Sequence, residues 1–260
     1  GALEVLLLAI VGDRGSVGGI TIHRGGSCHT HISLTVTVGA NLCQVVDCAC
    51  THSNRDGASA RQAGVKLKYV GKLGVEVEFI EINWDNKFLE LESKSIDCIW
   101  NGMTITEEAQ LNASVSNPYV ENAQVVIMTA DNAKDYAGID SLKDLSFAAE
   151  AGSAGEAAIA ENEWADYTAV KAQSDALLEV ASGSVDACVI DITMANAMTG
   201  EGTSYENLAQ VEKLNTEQYG IACRKDSDLT AKINELMAEL KGDGTLGALA
   251  DKYELALVEQ

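Results

Sequence analysis

Three short stretches collect residue types that can hold a small charged molecule. Gly102-Met103-Thr104-Ile105-Thr106-Glu107-Glu108 joins a glycine and two hydroxyls to an acidic turn. Thr106, with Glu107 and Glu108 behind it, reads as a helix N-cap, and a helix start can bind an anion while it is capped. Gly152-Ser153-Ala154-Gly155 offers bare amides at a second helix start. It lacks both the Gly-x4-Gly-Lys-Ser/Thr of a phosphate loop and the Gly-x-Gly-x-x-Gly of a dinucleotide loop. A carboxylate or a neutral polar group suits it better than a nucleotide. Asp191 stands between an apolar run and a helix. By position it is either a strand-end aspartate or helix cap, or a carboxylate placed to hold a substrate cation.

Catalytic chemistry has little to work with. Residues 53–260 contain no histidine, so that stretch has no Ser-His or Cys-His pair and no histidine base. All four histidines (His23, His29, His31 and His52) lie in the first 52 residues with Cys28, Cys43, Cys48 and Cys50, and all but His23 fall in the runs Cys28-His29-x-His31 and Cys43-x4-Cys48-x-Cys50-x-His52. Neither run contains the C-x2-C knuckle of a zinc site, so a chance cluster is expected, with no metal and no cofactor. Cys98, Cys188 and Cys223 sit in apolar runs and read as small buried hydrophobes.

The elements that must position these stretches alternate from residue 75 onward. Residues 75–82 alternate apolar and acidic side chains, as a half-buried strand does. Strands are also expected at 98–100, 124–128, 145–149, 186–190 and 219–223. Helices are expected at 87–93, with Phe88, Leu89 and Leu91 on the apolar side, and at 156–163, 174–182, 193–198, 226–241 and 245–253. Gly183 and Gly242 are natural stops. Strands alternating with helices imply an α/β fold with mainly parallel sheet. Both glycine-rich stretches then follow strands, at the carboxyl ends where open α/β sheets bind ligands.

The chain has 260 residues, 18 Lys and Arg against 39 Asp and Glu, and a formal net charge of −21. That charge repels phosphate backbones and makes nucleic acid an unsuitable partner. It divides unevenly: residues 1–74 carry +3 and residues 75–260 carry −24. Leu6-Leu7-Leu8-Ala9-Ile10-Val11 resembles the apolar heart of a signal peptide without its basic flank. Gly25-Gly26-Ser27-Cys28 is a weak echo of a lipoprotein cleavage site.

Residues 69–260 resemble the family 3 extracellular solute-binding proteins, the amino-acid receptors of ABC importers. Ordered blocks carry the resemblance: Lys72-Leu73-Gly74-Val75-Glu76-Val77-Glu78-Phe79, Trp84-Asp85, the Gly-x-Thr-x-Thr-x-Glu of residues 102–108, and Ser116-Asn117-Pro118-Tyr119. Then come Ser141-Leu142-Lys143-Asp144-Leu145, Gly152-Ser153, residues 185–191, Tyr219-Gly220-Ile221-Ala222 and residues 242–253. The resemblance implies a periplasmic-binding-protein type II fold, with two α/β lobes joined by two crossovers near 122–125 and 216–220. Residues 1–33 would be leader or linker, 34–123 with 218–260 lobe one, and 124–217 lobe two. Gly102, Thr104 and Thr106 would meet the solute from lobe one with Asn41. Ser153 and the Ala154 amide would meet it from lobe two, with Asp191 taking the α-ammonium. The implied protein is an extracytoplasmic monomer, periplasmic or lipid-anchored, that hands a small polar solute to an ABC permease. A sensory module and a dehydratase-like enzyme on the same scaffold are the alternatives.

Two departures stand out. Ala109 occupies the position of the family's usual carboxylate-clamping arginine, and no Lys or Arg occurs from residue 95 to 133. A carboxylate would rely on amides and helix ends, or the solute is not a standard α-amino acid; a cationic solute suits so acidic a cleft. Residues 42–68 have the family's length but lack its aromatic residues, its Gly-Phe-Asp turn and its acidic helix. A shifted reading frame within part of residues 1–68 would produce that combination; a genuinely divergent lobe is the alternative. A family-like segment in another frame of the underlying DNA is the expected result, and its absence refutes the idea.

Overall fold

The computed structural model describes residues 19–24, 32–36, 75–80 and 82–259, Ala165 excepted. Strands β1 (Gly19–Arg24), β2 (Ile32–Val36) and β3 (Val75–Ile80) lead into helix α1 (Lys87–Glu92), strand β4 (Cys98–Ile99), helix α2 (Glu107–Asn112) and strand β5 (Ser114–Val115). Strands β6 (Val120–Asn122) and β7 (Gln124–Thr129) carry the chain onward to β8 (Phe147–Glu150), α3 (Ala154–Glu161), β9 (Tyr167–Val170) and α4 (Gln173–Ser182). Strand β10 (Ala187–Asp191), α5 (Ile192–Met198), β11 (Leu208–Lys213), β12 (Glu217–Tyr219) and β13 (Ala222–Cys223) follow. Helices α6 (Leu229–Gly242) and α7 (Thr245–Tyr253) close the order.

Two sheets form the two lobes. One has the order β2-β3-β1-β4-β13-β5, the other β11-β7-β10-β8-β9. A two-stranded antiparallel ribbon of β6 and β12 runs beside them, pairing Asn122 with Glu217 and Tyr219 with Val120. The central strands β7, β8 and β10 of the second sheet are buried on both faces, and period-two alternation divides their side chains between two cores. Val125, Ile127, Cys188 and Ile190 pack on one face with Leu177 and Val180 of α4 and with Met194 of α5. Val126, Met128, Phe147 and Val189 pack on the other with Ile159 of α3 and with Trp164, whose ring stacks on Phe147 at 4.5 Å. Cys98, Cys188 and Cys223 are buried and free, as small apolar residues would be. Among the described residues no helix is long and apolar enough to cross a membrane.

The expectation of mainly parallel sheets needs correction. In the second sheet β8 is parallel to β9 and to β10, but β7 is antiparallel to both β10 and β11. The direction of travel explains this: β7 carries the chain away from the ribbon, while β8, β9, β10 and β11 all return toward it. In the first sheet β1 runs against β3 and β4, and β13 runs against β4 and β5, so neighbours there are mostly antiparallel.

Two local expectations also change. Leu89 is 63% exposed, whereas Leu91 is buried and Phe88 packs on the core. Residues 88 and 91, three apart, share a face of α1, and 89 turns away from it. The strand expected at 219–223 is broken into β12 and β13. Gly220 marks the break, where an added Cβ would lie 2.9 Å from Ile105 and Val115. A side chain there would have to displace both of them.

Candidate functional site

A cleft of about 320 Å³ lies between the lobes. The first sheet's lobe lines it with Trp84, Gly102 and Thr104, and the second with Ser153, Gln173 and Asp191. Thr106 and Ala154 lie on its wall as well, so six of the seven residues singled out in the sequence come together there. Asn41 lies outside the described residues, as does the histidine and cysteine cluster at 28–31 and 43–52.

Asp191 sits where β10 ends and α5 begins, and its side chain makes no cap hydrogen bond. Three side-chain amides hold it instead. Its Oδ1 accepts from Asn122 Nδ2 at 2.9 Å and Gln124 Nε2 at 2.5 Å, and its Oδ2 from Gln173 Nε2 at 2.6 Å. Gln173 is fixed in return, because its Oε1 accepts the Asp191 backbone N–H at 2.9 Å. Burial, then the nearby Glu217 carboxylate, push the Asp191 carboxyl up to about 6, against the pull of the three amides. Asp191 Oδ2 also comes within 3.5 Å of where a Cβ on Gly102 would stand, which joins the two lobes across the cleft. Gly102 has φ +51, a conformation natural to glycine.

The other named residues are engaged in different ways. Thr104 donates its hydroxyl to Glu217 Oε1 at 2.7 Å, and Thr106 caps α2 by accepting from Ala109 N at 3.1 Å. Ser153 caps α3, accepting from Glu156 N at 3.1 Å. The first amides of α3, Ala154 among them, are left without helical partners, as at any helix start. Ala109 is buried at the cleft wall.

Several cleft and hinge residues were not singled out in the sequence. Glu217 in β12 accepts from Thr104, from Asn122 at 2.6 Å, from Gln124 at 2.8 Å and from Asn215 at 3.3 Å. Lys87 of α1 reaches across the cleft, donating to the Gly152 carbonyl at 2.8 Å and to Trp84 O at 3.2 Å. Burial holds its ammonium below the usual lysine range. Tyr219 meets Thr193 at 2.9 Å, hydroxyl to hydroxyl. Glu150, at the end of β8, is 8% exposed. The readable signal for Gln124 and Glu150 is a polar residue at the tip of an otherwise apolar strand.

Two lobes, a ribbon joining them and a cleft lined from both sides define a two-lobe solute receptor of the periplasmic-binding-protein type II fold. Residues 64–256 match the bacterial extracellular solute-binding proteins, family 3, and the chain belongs to that family. Among its relatives, the L-cystine-binding protein TcyJ of Escherichia coli is 27% identical over 204 residues, 76% of either chain. The arginine-binding extracellular protein ArtP of Bacillus subtilis is 28% identical, over 70% of this chain and 72% of its own. A solved structure of a mutant ArgBP from T. maritima superposes with a TM-score of 0.65 at 32% identity, covering 70% of this chain and 79% of that one.

Proposed function

We propose that this protein is an extracytoplasmic receptor that captures a small polar solute, an amino acid or a close relative, and delivers it to the permease of an ABC importer. Lobe one, residues 34–123 with 218–260, and lobe two, residues 124–217, close on the solute. The observation that carries this reading is Asp191: a buried carboxylate on the cleft wall, oriented by amides from the crossover strands and from lobe two. A solute ammonium on Asp191 gains charge-assisted hydrogen bonds. The Ala154 amide and the start of α3 face the negative end of the solute, and Ser153 supplies polar contacts beside them. Binding runs without turnover, because the signal is closure, driven by tighter binding to the closed form.

A thermal-shift screen against amino acids and other small polar solutes tests this. A solute at a hundredfold its Kd raises stability by about 2.7 kcal/mol. A positive solute that is recovered chemically unchanged supports a receptor; stabilisation by none, or conversion of the solute, overturns it.

A further inference from the structure

Strands β4 and β13 bring two sulfurs together. Cys98 and Cys223 are directly opposite in that antiparallel pairing, beside the pair Ile99 and Ala222. Ile99 and Ala222 join the core of the first lobe, so alternation turns the two cysteines together onto the other face. Just before β13, the Ile221 carbonyl accepts from Ser116 N at 2.8 Å, and the Ile221 N–H donates to Ser116 Oγ at 2.9 Å. Both groups point toward β5; those of Ala222 then point toward β4, and those of Cys223 toward β5 again. Cys98 and Cys223 are therefore a non-hydrogen-bonded pair, the kind whose Cα atoms stand about 4.5 Å apart. A disulfide spans about 4.4–6.8 Å between Cα atoms. The two thiols lie within hydrogen-bonding reach of each other, both fully buried and both free. One position along, Asp97 and Arg224 are already joined by an ion pair. Cys188 in the second lobe stands instead between Ile127 and Ala148.

We propose that Cys98 and Cys223 are an oxidation site, joined in an oxidising compartment by a disulfide that ties the second lobe to the first at its root. The chain from residue 99 to 222 holds both strands of the ribbon and every strand of the second sheet. A bond between its two ends closes that whole excursion on the lobe-one side, and the ribbon beyond it stays free to bend. The extracytoplasmic placement proposed above supplies the oxidant, a small-molecule or protein disulfide. One cysteine thiolate attacks that disulfide and expels a thiolate. The second cysteine sulfur attacks the mixed disulfide, which closes the Cys98–Cys223 bond and expels the other. The two thiol protons pass to the expelled sulfurs, and the oxidant takes up both electrons. Burial first, and then the facing Cys223 sulfur, hold the Cys98 thiol well above its usual range. The folded thiol is thus a slow nucleophile, and the bond forms as the chain folds, before β4 and β13 are covered.

Refolding of the full chain from urea tests this, once in a mixture of oxidised and reduced glutathione and once with reductant throughout. Remaining thiols are alkylated and the protein is digested with trypsin. Cleavage after Lys and Arg puts Cys98 in the peptide of residues 95–134 and Cys223 in that of residues 214–224. The oxidised sample yields these two peptides as one disulfide-linked species, which reductant separates. Its Tm lies about 10 °C above that of the reduced sample, because a bond closing so long a loop restricts the unfolded chain strongly. In the double variant Cys98→Ala with Cys223→Ala the gap between the two samples shrinks by that amount. The peptide map needs no variant, so it decides even where the double variant fails to fold. Both peptides alkylated after oxidative refolding overturns the inference, as does either cysteine linked to any other. A linked species with no rise in Tm overturns the tie. None of these outcomes touches the receptor reading, which the solute screen tests by itself.

Discussion

Replacing Asp191 by asparagine sets two opposed effects against each other at one atom. The carboxyl titrates near 3.8 when unfolded and at about 6 in the fold. A folded-state value above the unfolded one means stability that is complete below about pH 4 and lost as pH rises through 6. Two pKa units correspond to roughly 3 kcal/mol, the cost of keeping Asp191 ionised at pH 8. The asparagine side chain does not ionise and escapes that cost. Against this, its amide cannot accept where Oδ2 did, and it faces Gln173 Nε2. Turning the Gln173 amide would strip the acceptor from the residue 191 backbone N–H. One donor conflict therefore remains, worth about 1–3 kcal/mol. At pH 8 the escaped cost equals or exceeds the conflict, and Asp191→Asn is about 0–2 kcal/mol more stable than the unaltered protein. At pH 4 Asp191 is already protonated, so only the conflict is left and the variant is about 1–3 kcal/mol less stable. Urea unfolding of both proteins without solute at pH 4 and pH 8 reads the difference, and solute titration at pH 8 shows affinity reduced by about tenfold or more. A stability difference between the two proteins that is the same at both pH values refutes the argument, because it would mean that the Asp191 charge is not penalised by its surroundings.

Closure depends on contacts that cross the cleft, and two substitutions address them. Gly152 has φ +71, and an added Cβ would lie 2.6 Å from Asp85 Cα. Gly152→Ala therefore costs about 1 kcal/mol in backbone strain and holds the lobes apart; solution scattering with saturating solute shows a larger radius of gyration than the unaltered protein, and an identical radius refutes the contact. Lys87→Met removes the bond to the Gly152 carbonyl at 2.8 Å. Affinity weakens by about tenfold, the value of one hydrogen bond to a charged group, with the loss in a faster off-rate measured by stopped flow; an unchanged off-rate shows that Lys87 does not hold the closed form.

The second lobe was legible because its central strands are covered on both faces. Continuous apolar runs at 125–128 and 187–190 have few readings besides buried strands, and Gly183, at φ 76, ends α4 as a left-handed residue should. Thr106 was legible as a cap because capping is a contact between near neighbours in sequence. The edge strand β9 escaped notice: Tyr167, Thr168 and Ala169 are exposed, and nothing alternates. Glu217, Gln124 and Asn122 escaped for a different reason. Asn215 apart, the partners named above lie between 67 and 113 positions away, and an amide or carboxylate in an acidic, polar chain carries no local mark of a distant partner. The direction of β7 was equally hidden, since strand pairing follows from the route of the chain and not from the composition of the strand.

Those distant partners explain how a site so small can report on the whole molecule. Asn122 Nδ2 and Gln124 Nε2 each donate to both Asp191 and Glu217. Asn122 and Glu217 are also the paired residues of the ribbon between the lobes. The amides that orient the candidate solute-binding carboxylate are thus carried by the segments that must bend when the lobes move. Each amide divides its donation between two carboxylates that repel one another, as the Asp191 shift records. A solute ammonium on Asp191 would neutralise one of the two and relieve that repulsion, and both amides could then favour Glu217. Binding at the cleft and the hydrogen bonding of the ribbon are parts of one network, so a change in the first alters the second without any longer pathway between them.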